Sequence, residues 1–144
     1  MAFWYVKEKN IGGSAFGHNE KFTGLGIFID TYKNGDSNNA YPLIYGMVND
    51  GTVSYDQDKD GGDSGMLNNC YAGLRNKNHD SHLRIYYNYE EKYLEVGIDV
   101  DQNDKFHKFL KSEVAELSNN HKKNDEIFRN NLKNHSNTTR ILNF

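Results

Sequence analysis

Two neighbouring segments of this chain carry apolar side chains at every second position. From His82 to Tyr89 the series is Leu83, Ile85, Tyr87 and Tyr89; from Tyr93 to Val100 it is Leu94, Val96, Ile98 and Val100. Only extended backbone puts alternate residues on one face, so a period of two dictates strands with one face buried. Glu90-Glu91-Lys92 is too short for a crossover, so the pair reads as an antiparallel hairpin. A chain that commits its middle to such a hairpin is a β protein. Its other apolar runs are strand-like too. Leu25 to Asp30 is short, entered through Gly24 and rich in Ile, and Tyr41 to Val48 is a second run. The latter leads through Asn49-Asp50-Gly51 into Thr52-Val53-Ser54-Tyr55, a further hairpin signal, because Asp-Gly tolerates the positive φ that tight turns need. Several short strands punctuated by turns predict a sandwich or barrel.

The 144 residues amount to one domain. Aromatic residues reach 13%, which excludes wholesale disorder. The 20 Asn residues favour loops and caps. A net charge of −3 does not suit nucleic acid. The first 110 residues hold 16 acidic and 11 basic side chains, and the rest lean basic. No stretch approaches the roughly 18 apolar residues of a membrane span, and the N-terminus has no apolar signal-peptide core. The only cysteine, Cys70, excludes an internal disulfide. After Leu110 the β-branched residues thin out. Val114, Leu117, His121, Phe128 and Leu132 form a ragged helical stripe, so a helix is predicted over 111–133 and a frayed tail over 134–144.

The residues most suited to chemistry lie where an apolar strand runs out. In Asp30-Thr31-Tyr32-Lys33-Asn34, positions 30, 32 and 34 share a side of an extended chain. They offer a carboxylate, a carbonyl and an amide oxygen, the donors a hard cation wants. Solvated turn residues would look the same. A second acidic group, Asp56, Asp58 and Asp60, precedes Gly61 in the long polar stretch 56–81. It matches the start of an EF-hand loop, but the twelfth position is Leu67 where a bidentate Glu belongs, and the flanks read as strands. His79 and His82 point to opposite faces of a strand and have no third ligand nearby in sequence. Cys70 reads as a packed thiol. Glu90 and Glu91 are adjacent and project oppositely, and no Glu-x-Asp-x-Glu spacing occurs on a predicted strand. The paired carboxylates that some sandwich-fold glycosidases use are therefore not found, and the chain is read as no enzyme.

Taken together, Trp4-Tyr5-Val6-Lys7, Gly17, Gly24-Leu25-Gly26-Ile27-Phe28-Ile29-Asp30-Thr31-Tyr32 with Asn34, Tyr41-Pro42 and Met47-Val48-Asn49-Asp50-Gly51 form a pattern. It continues through Ser54-Tyr55-Asp56, Lys59-Asp60-Gly61, Cys70, Arg75-Asn76 and His79-Asp80. Over about residues 4–105 this pattern resembles the leguminous-type lectins of the secretory pathway, the mannose-binding cargo receptors that cycle between endoplasmic reticulum and Golgi.

The resemblance implies an all-β, concanavalin A-like jelly-roll sandwich of antiparallel sheets. It implies a calcium ion held by the Asp30 carboxylate, the Tyr32 carbonyl, the Asn34 side chain and Asp60. The glycan contacts it implies are Asn34, through its amide N–H, and Gln57, which stands where the family usually has a sugar-contacting His. The implied partners are high-mannose glycans of glycoproteins, and the implied location is the ER/Golgi lumen. Besides Gln57, the chain departs from the pattern in four places. The family's glycine-rich loop with a sugar-contacting Asp precedes the Trp-Tyr strand, upstream of Met1. The pocket-closing Gly-Asp-Leu loop has no counterpart in 106–144. Phe109 lies about where the partner cysteine of Cys70 would be. The family's signal peptide and membrane anchor have no counterpart. The expectation is a truncated lectin domain over 1–110 followed by a divergent helical or disordered tail over 111–144. Two functions stay open: calcium-dependent binding of mannose-type glycans, or a degenerate lectin fold that binds calcium or a protein partner but no sugar.

Overall fold

The computed structural model describes residues 1–9, 12–34, 40–61, 66–88, 90–91, 93–113 and 138–143. Among the described residues the regular structure is eight strands and one 3₁₀ turn, the strands arranged as two four-stranded antiparallel sheets. The chain divides into two compact units, Met1–Tyr71 and Ala72–Phe144. No helix among the described residues is long and apolar enough to cross a membrane.

In the first unit β1 (Ala2–Val6), β2 (Thr23–Asp30), β3 (Leu43–Asp50) and β4 (Met66–Tyr71) lie side by side in chain order. β2 is buried along most of its length, which is why its sequence is an apolar run rather than an alternation. Trp4 pairs with Gly26 in the β1–β2 register. Gly24 is obligatory there, because its φ is +138° and a Cβ would lie 2.3 Å from the Tyr5 carbonyl oxygen. The core of this unit is aromatic. Phe28 stacks on Tyr45 at 5.0 Å between ring centroids, meets Trp4 edge-on at 5.1 Å and lies 5.3 Å from Tyr55. His18 is buried against Trp4 at 4.7 Å. Edge-on and offset pairs add to the burial of rings this large.

In the second unit β5 (His82–Asn88) pairs with β6 (Tyr93–Asp99), as the alternation predicts. Leu83, Ile85, Tyr87, Leu94, Val96 and Ile98 are all buried. β7 (His107–Glu113) adds beside β6, and β8 (Thr138–Asn143) beside β5. On the polar face Glu95 is the one carboxylate between two cations. It lies 3.1 Å from the Arg84 guanidinium and 2.9 Å from the Lys108 ammonium, and it accepts from the Tyr93 hydroxyl at 2.9 Å. The Arg84 guanidinium also stands over the Phe106 ring at 4.3 Å.

Burial pushes the Glu95 carboxyl up, but Lys108, Tyr93 and Arg84 outweigh it and hold the group below the usual carboxylate range. A carboxyl more acidic in the fold than in the unfolded chain stabilises above its unfolded pKa, and that contribution disappears as pH falls through the folded value. Thermal unfolding should therefore show stability falling below about pH 4.5. Glu95→Gln should flatten that acid limb while lowering the melting temperature at neutral pH. An unchanged acid limb would refute the assignment.

Four expectations from sequence are corrected. Thr52–Tyr55 is no strand, because Asn49 and Asp50 take up its backbone. Asn49 Oδ1 accepts from the Gly51 N–H at 3.1 Å, Asn49 Nδ2 donates to the Val53 carbonyl at 2.6 Å, and Asp50 accepts from the Thr52 N–H at 2.9 Å. Such local bonds compete with a ladder. The polar stretch 56–81 contains β4, which pairs with β3. Residues 111–113 belong to β7 and not to a helix; the rest of the expected helical stripe, from Val114 to Leu132, lies outside the described residues. Thr138–Asn143, expected as frayed tail, forms β8, because a β-branched run pairs in register with β5 from His82 to Tyr87.

Candidate calcium and glycan site

Asp30 closes β2, and its Oδ1 accepts the Tyr32 N–H at 3.0 Å. That bond turns the chain out of the strand and fixes the carboxylate at its end. Asp60 arrives from 30 residues further along the sequence. Asp56 caps a 3₁₀ turn over Gln57–Lys59 by accepting from the Asp58 N–H, and Asp60 ends that turn in the left-handed region at φ 51°. The Asp60 N–H donates to the Gln57 carbonyl at 3.2 Å, and the Gly61 N–H to the Asp56 carbonyl at 2.7 Å. The turn is therefore closed by its own backbone. Asp60 is only 1% exposed and Asp30 6%.

Both oxygens of Asp60 accept the Asn34 N–H, at 3.2 and 3.3 Å, and the Tyr41 hydroxyl donates to Asp60 Oδ2. So Asp30, Asn34 and Asp60, three of the residues singled out by sequence, come together, with Tyr32 in the connecting turn. Burial pushes the Asp30 carboxyl above the usual range and the nearby Asp60 charge adds to this, against the Tyr32 N–H. Two buried carboxylates this near each other leave like charges for a cation to offset.

Beneath them lies a floor of tyrosines that the sequence reading does not anticipate. The hydroxyls of Tyr45 and Tyr55 meet at 2.5 Å. Burial raises both phenols, Tyr55 to about 12 and Tyr45 further, and the Asp30 and Asp60 charges contribute in the same direction. Gly61, at φ 88°, sits on this floor: a Cβ would stand 3.0 Å from the Tyr55 ring and 3.3 Å from that of Tyr45. The spacing of Tyr41, Tyr45 and Tyr55 about the Asp-Gly turn carries no motif that would announce them.

The donor set suits a hard cation. Two carboxylates, the Tyr32 carbonyl and the Asn34 amide are all oxygen donors. Among the described residues no group of three or more His, Cys, Asp or Glu comes together, so the carboxylates would be supplemented by carbonyl, amide and water oxygens. Gln57 stands apart from the carboxylates: it is exposed, one 3₁₀ turn before Asp60, and its amide N–H donates to the Ser14 carbonyl. Tyr32, in the turn that follows Asp30, is 73% exposed. Cys70, in β4, is a half-buried free thiol that burial pushes up to about 11.

A family model, the legume-like lectin family, matches residues 1–122. This chain belongs to the legume-like lectins. The VIP36-like protein of Homo sapiens is 39% identical over 103 residues, which are 70% of this chain and 29% of that protein. The vesicular integral-membrane protein VIP36 of Mus musculus is 42% identical over 88 residues, 60% of this chain and 24% of that one. The chain thus spans less than a third of the length of the curated relatives it matches. Among solved structures, the exoplasmic/lumenal domain of VIP36 in its Ca2+/Man-bound form aligns with a TM-score of 0.72 at 34% identity, covering 78% of this lectin chain and 45% of that one. The same domain in its metal-free form aligns equally well. The likeness bears out the all-β, concanavalin A-like jelly-roll class.

Proposed function

We propose that this lectin chain is a calcium-dependent glycan-binding module for mannose-type N-glycans of glycoproteins, acting in ER–Golgi glycoprotein transport and doing no catalysis. The observation that carries the reading is the buried pair Asp30 and Asp60, brought near each other from separate segments, with the Asn34 N–H bonded to Asp60. VIP36, with the same fold, has a Ca2+/Man-bound form. Asp30, the Tyr32 carbonyl, Asn34 and Asp60 would hold calcium. The ion, when bound, offsets the repulsion of the carboxylates and stiffens the segment that carries Asn34. A stiff segment matters because a sugar hydroxyl must be won from water, and polar groups already in place lose less entropy on binding. Asn34 and Gln57 would then offer amide groups to mannose hydroxyls.

Titration calorimetry and thermal melts on the full chain test this. Calcium at a hundred times its dissociation constant should stabilise the fold by about 2.7 kcal/mol by mass action, and methyl α-mannoside should bind only when calcium is present. A folded sample that gives no heat with mannoside in calcium refutes glycan binding. Stabilisation by calcium alone selects the degenerate lectin that keeps its metal and has lost its sugar.

A further inference from the structure

Gln57 is held by neighbours that the site itself does not require. Its partner is a carbonyl oxygen, that of Ser14. A carbonyl only accepts, so the Gln57 side chain must face Ser14 with its NH2 end. That choice leaves Oε1 directed away from Ser14, as an acceptor. Ser14 is in turn fixed through Glu20. The Glu20 carboxylate accepts from the Ser14 hydroxyl at 2.5 Å with one oxygen and from the Ser54 hydroxyl at 2.6 Å with the other. The two hydroxyls hold that carboxyl below the usual range. The Glu20 carbonyl accepts the Tyr55 N–H at 3.1 Å.

The clamp rides on anchored backbone. Ser14 precedes the buried Ala15, which is bridged to His18 in both directions at 3.0 and 2.8 Å, and Ser54 precedes the buried Tyr55 of the tyrosine floor. A surface glutamine left to itself samples many rotamers and both amide orientations, and ordering it on binding costs affinity. Here one end of its amide is already engaged.

We infer that Ser14, Glu20 and Ser54 are positioning residues that hold the Gln57 amide with its oxygen presented to a hydroxyl donor of the glycan, and so set which hydroxyls this site accepts. This rests on the glycan-binding reading. Gln57 is the group that meets the sugar, and Glu20 acts through it without touching the ligand.

The test is a double-mutant cycle on the full chain, with methyl α-mannoside as probe and calcium saturating. Glu20→Ala should weaken mannoside binding about fivefold, and Ser54→Ala by less, with calcium affinity unchanged. In a Gln57→Ala background Glu20→Ala should have no further effect on mannoside affinity, which a merely structural role would not produce. The side-chain amide resonances of Gln57, identified by their disappearance in Gln57→Ala, should show one N–H slow to exchange in the parent and fast in Glu20→Ala. Equal losses in both backgrounds, or resonances indifferent to Glu20→Ala, overturn the inference. If the parent chain binds no mannoside while the slow N–H is present, the glycan-binding reading has failed and takes this inference with it. If the parent binds and Glu20→Ala binds equally well, this inference alone has failed.

Discussion

Calcium should no longer raise the melting temperature of the chain when Asp60 is replaced by Asn, although the variant should melt in chelator no lower than its parent. The two halves of this expectation come from different physics. Asp60 is buried, and its charge is felt at Asp30, whose carboxyl it helps push up. An amide of the same shape removes that repulsion, keeps an oxygen to accept from Tyr41 and the Asn34 N–H, and leaves the 3₁₀ turn closed by its backbone bonds. The apo fold therefore loses little. The proposed metal site loses one of its two carboxylates, and oxygen ligand charge sets calcium affinity. The whole stabilisation that calcium brings, about 2.7 kcal/mol at a hundredfold excess over its dissociation constant, should vanish. Mannoside binding should go with it. Asp60→Ala is the harsher variant, because it also strips the Asn34 N–H and the Tyr41 hydroxyl of their acceptor, and it should melt lower in chelator as well. A calcium-dependent rise that survives Asp60→Asn would remove Asp60 from the metal site.

The second large effect is on stability. Phe28→Ala should cost about 3–5 kcal/mol. The ring is buried at the centre of the first unit, within 5.3 Å of Trp4, Phe16, Tyr45 and Tyr55 between centroids. Alanine would leave a void bordered by aromatic rings, which are too stiff to fill it, so the cost belongs in the upper part of that range. Domains of this size are typically stable by about 5–15 kcal/mol, so the variant should stand near the edge of folding. Chemical denaturation would show a midpoint far lower with the slope preserved. A loss under 1 kcal/mol would mean that the aromatic cluster is not packed as described. Because Tyr45 and Tyr55 both border Phe28 and floor the carboxylate site, the variant should also lower calcium affinity.

Asp30, Tyr32 and Asn34 were legible as candidate oxygen donors from their two-residue spacing after an apolar strand, a spacing that solvated turn residues share, and only the family pattern joined Asp60 to them. The β5–β6 hairpin was legible because its alternation is unbroken over both strands. The other strands hid for separate reasons. In β4 the sequence Met-Leu-Asn-Asn-Cys-Tyr is only half-buried along its length, so no apolar period marks it. In β7 the only apolar residues, Phe109 and Leu110, are adjacent rather than alternating, and the β6–β7 register shifts between Val96 and Gly97. A shift of that kind erases the period of two. The tyrosine floor was not legible at all, since Tyr41, Tyr45 and Tyr55 meet only through the fold, and hydroxyl contacts leave no trace in spacing.

The chain has a single tryptophan, and Trp4 belongs wholly to the first unit, with its ring against His18, Phe22 and Phe28. Ultraviolet emission excited selectively at the indole is therefore a built-in reporter of that unit. It lies in the same aromatic cluster that borders the tyrosines under Asp60. Calcium loading and the loss of Phe28 can both be followed by this one optical signal, without a label.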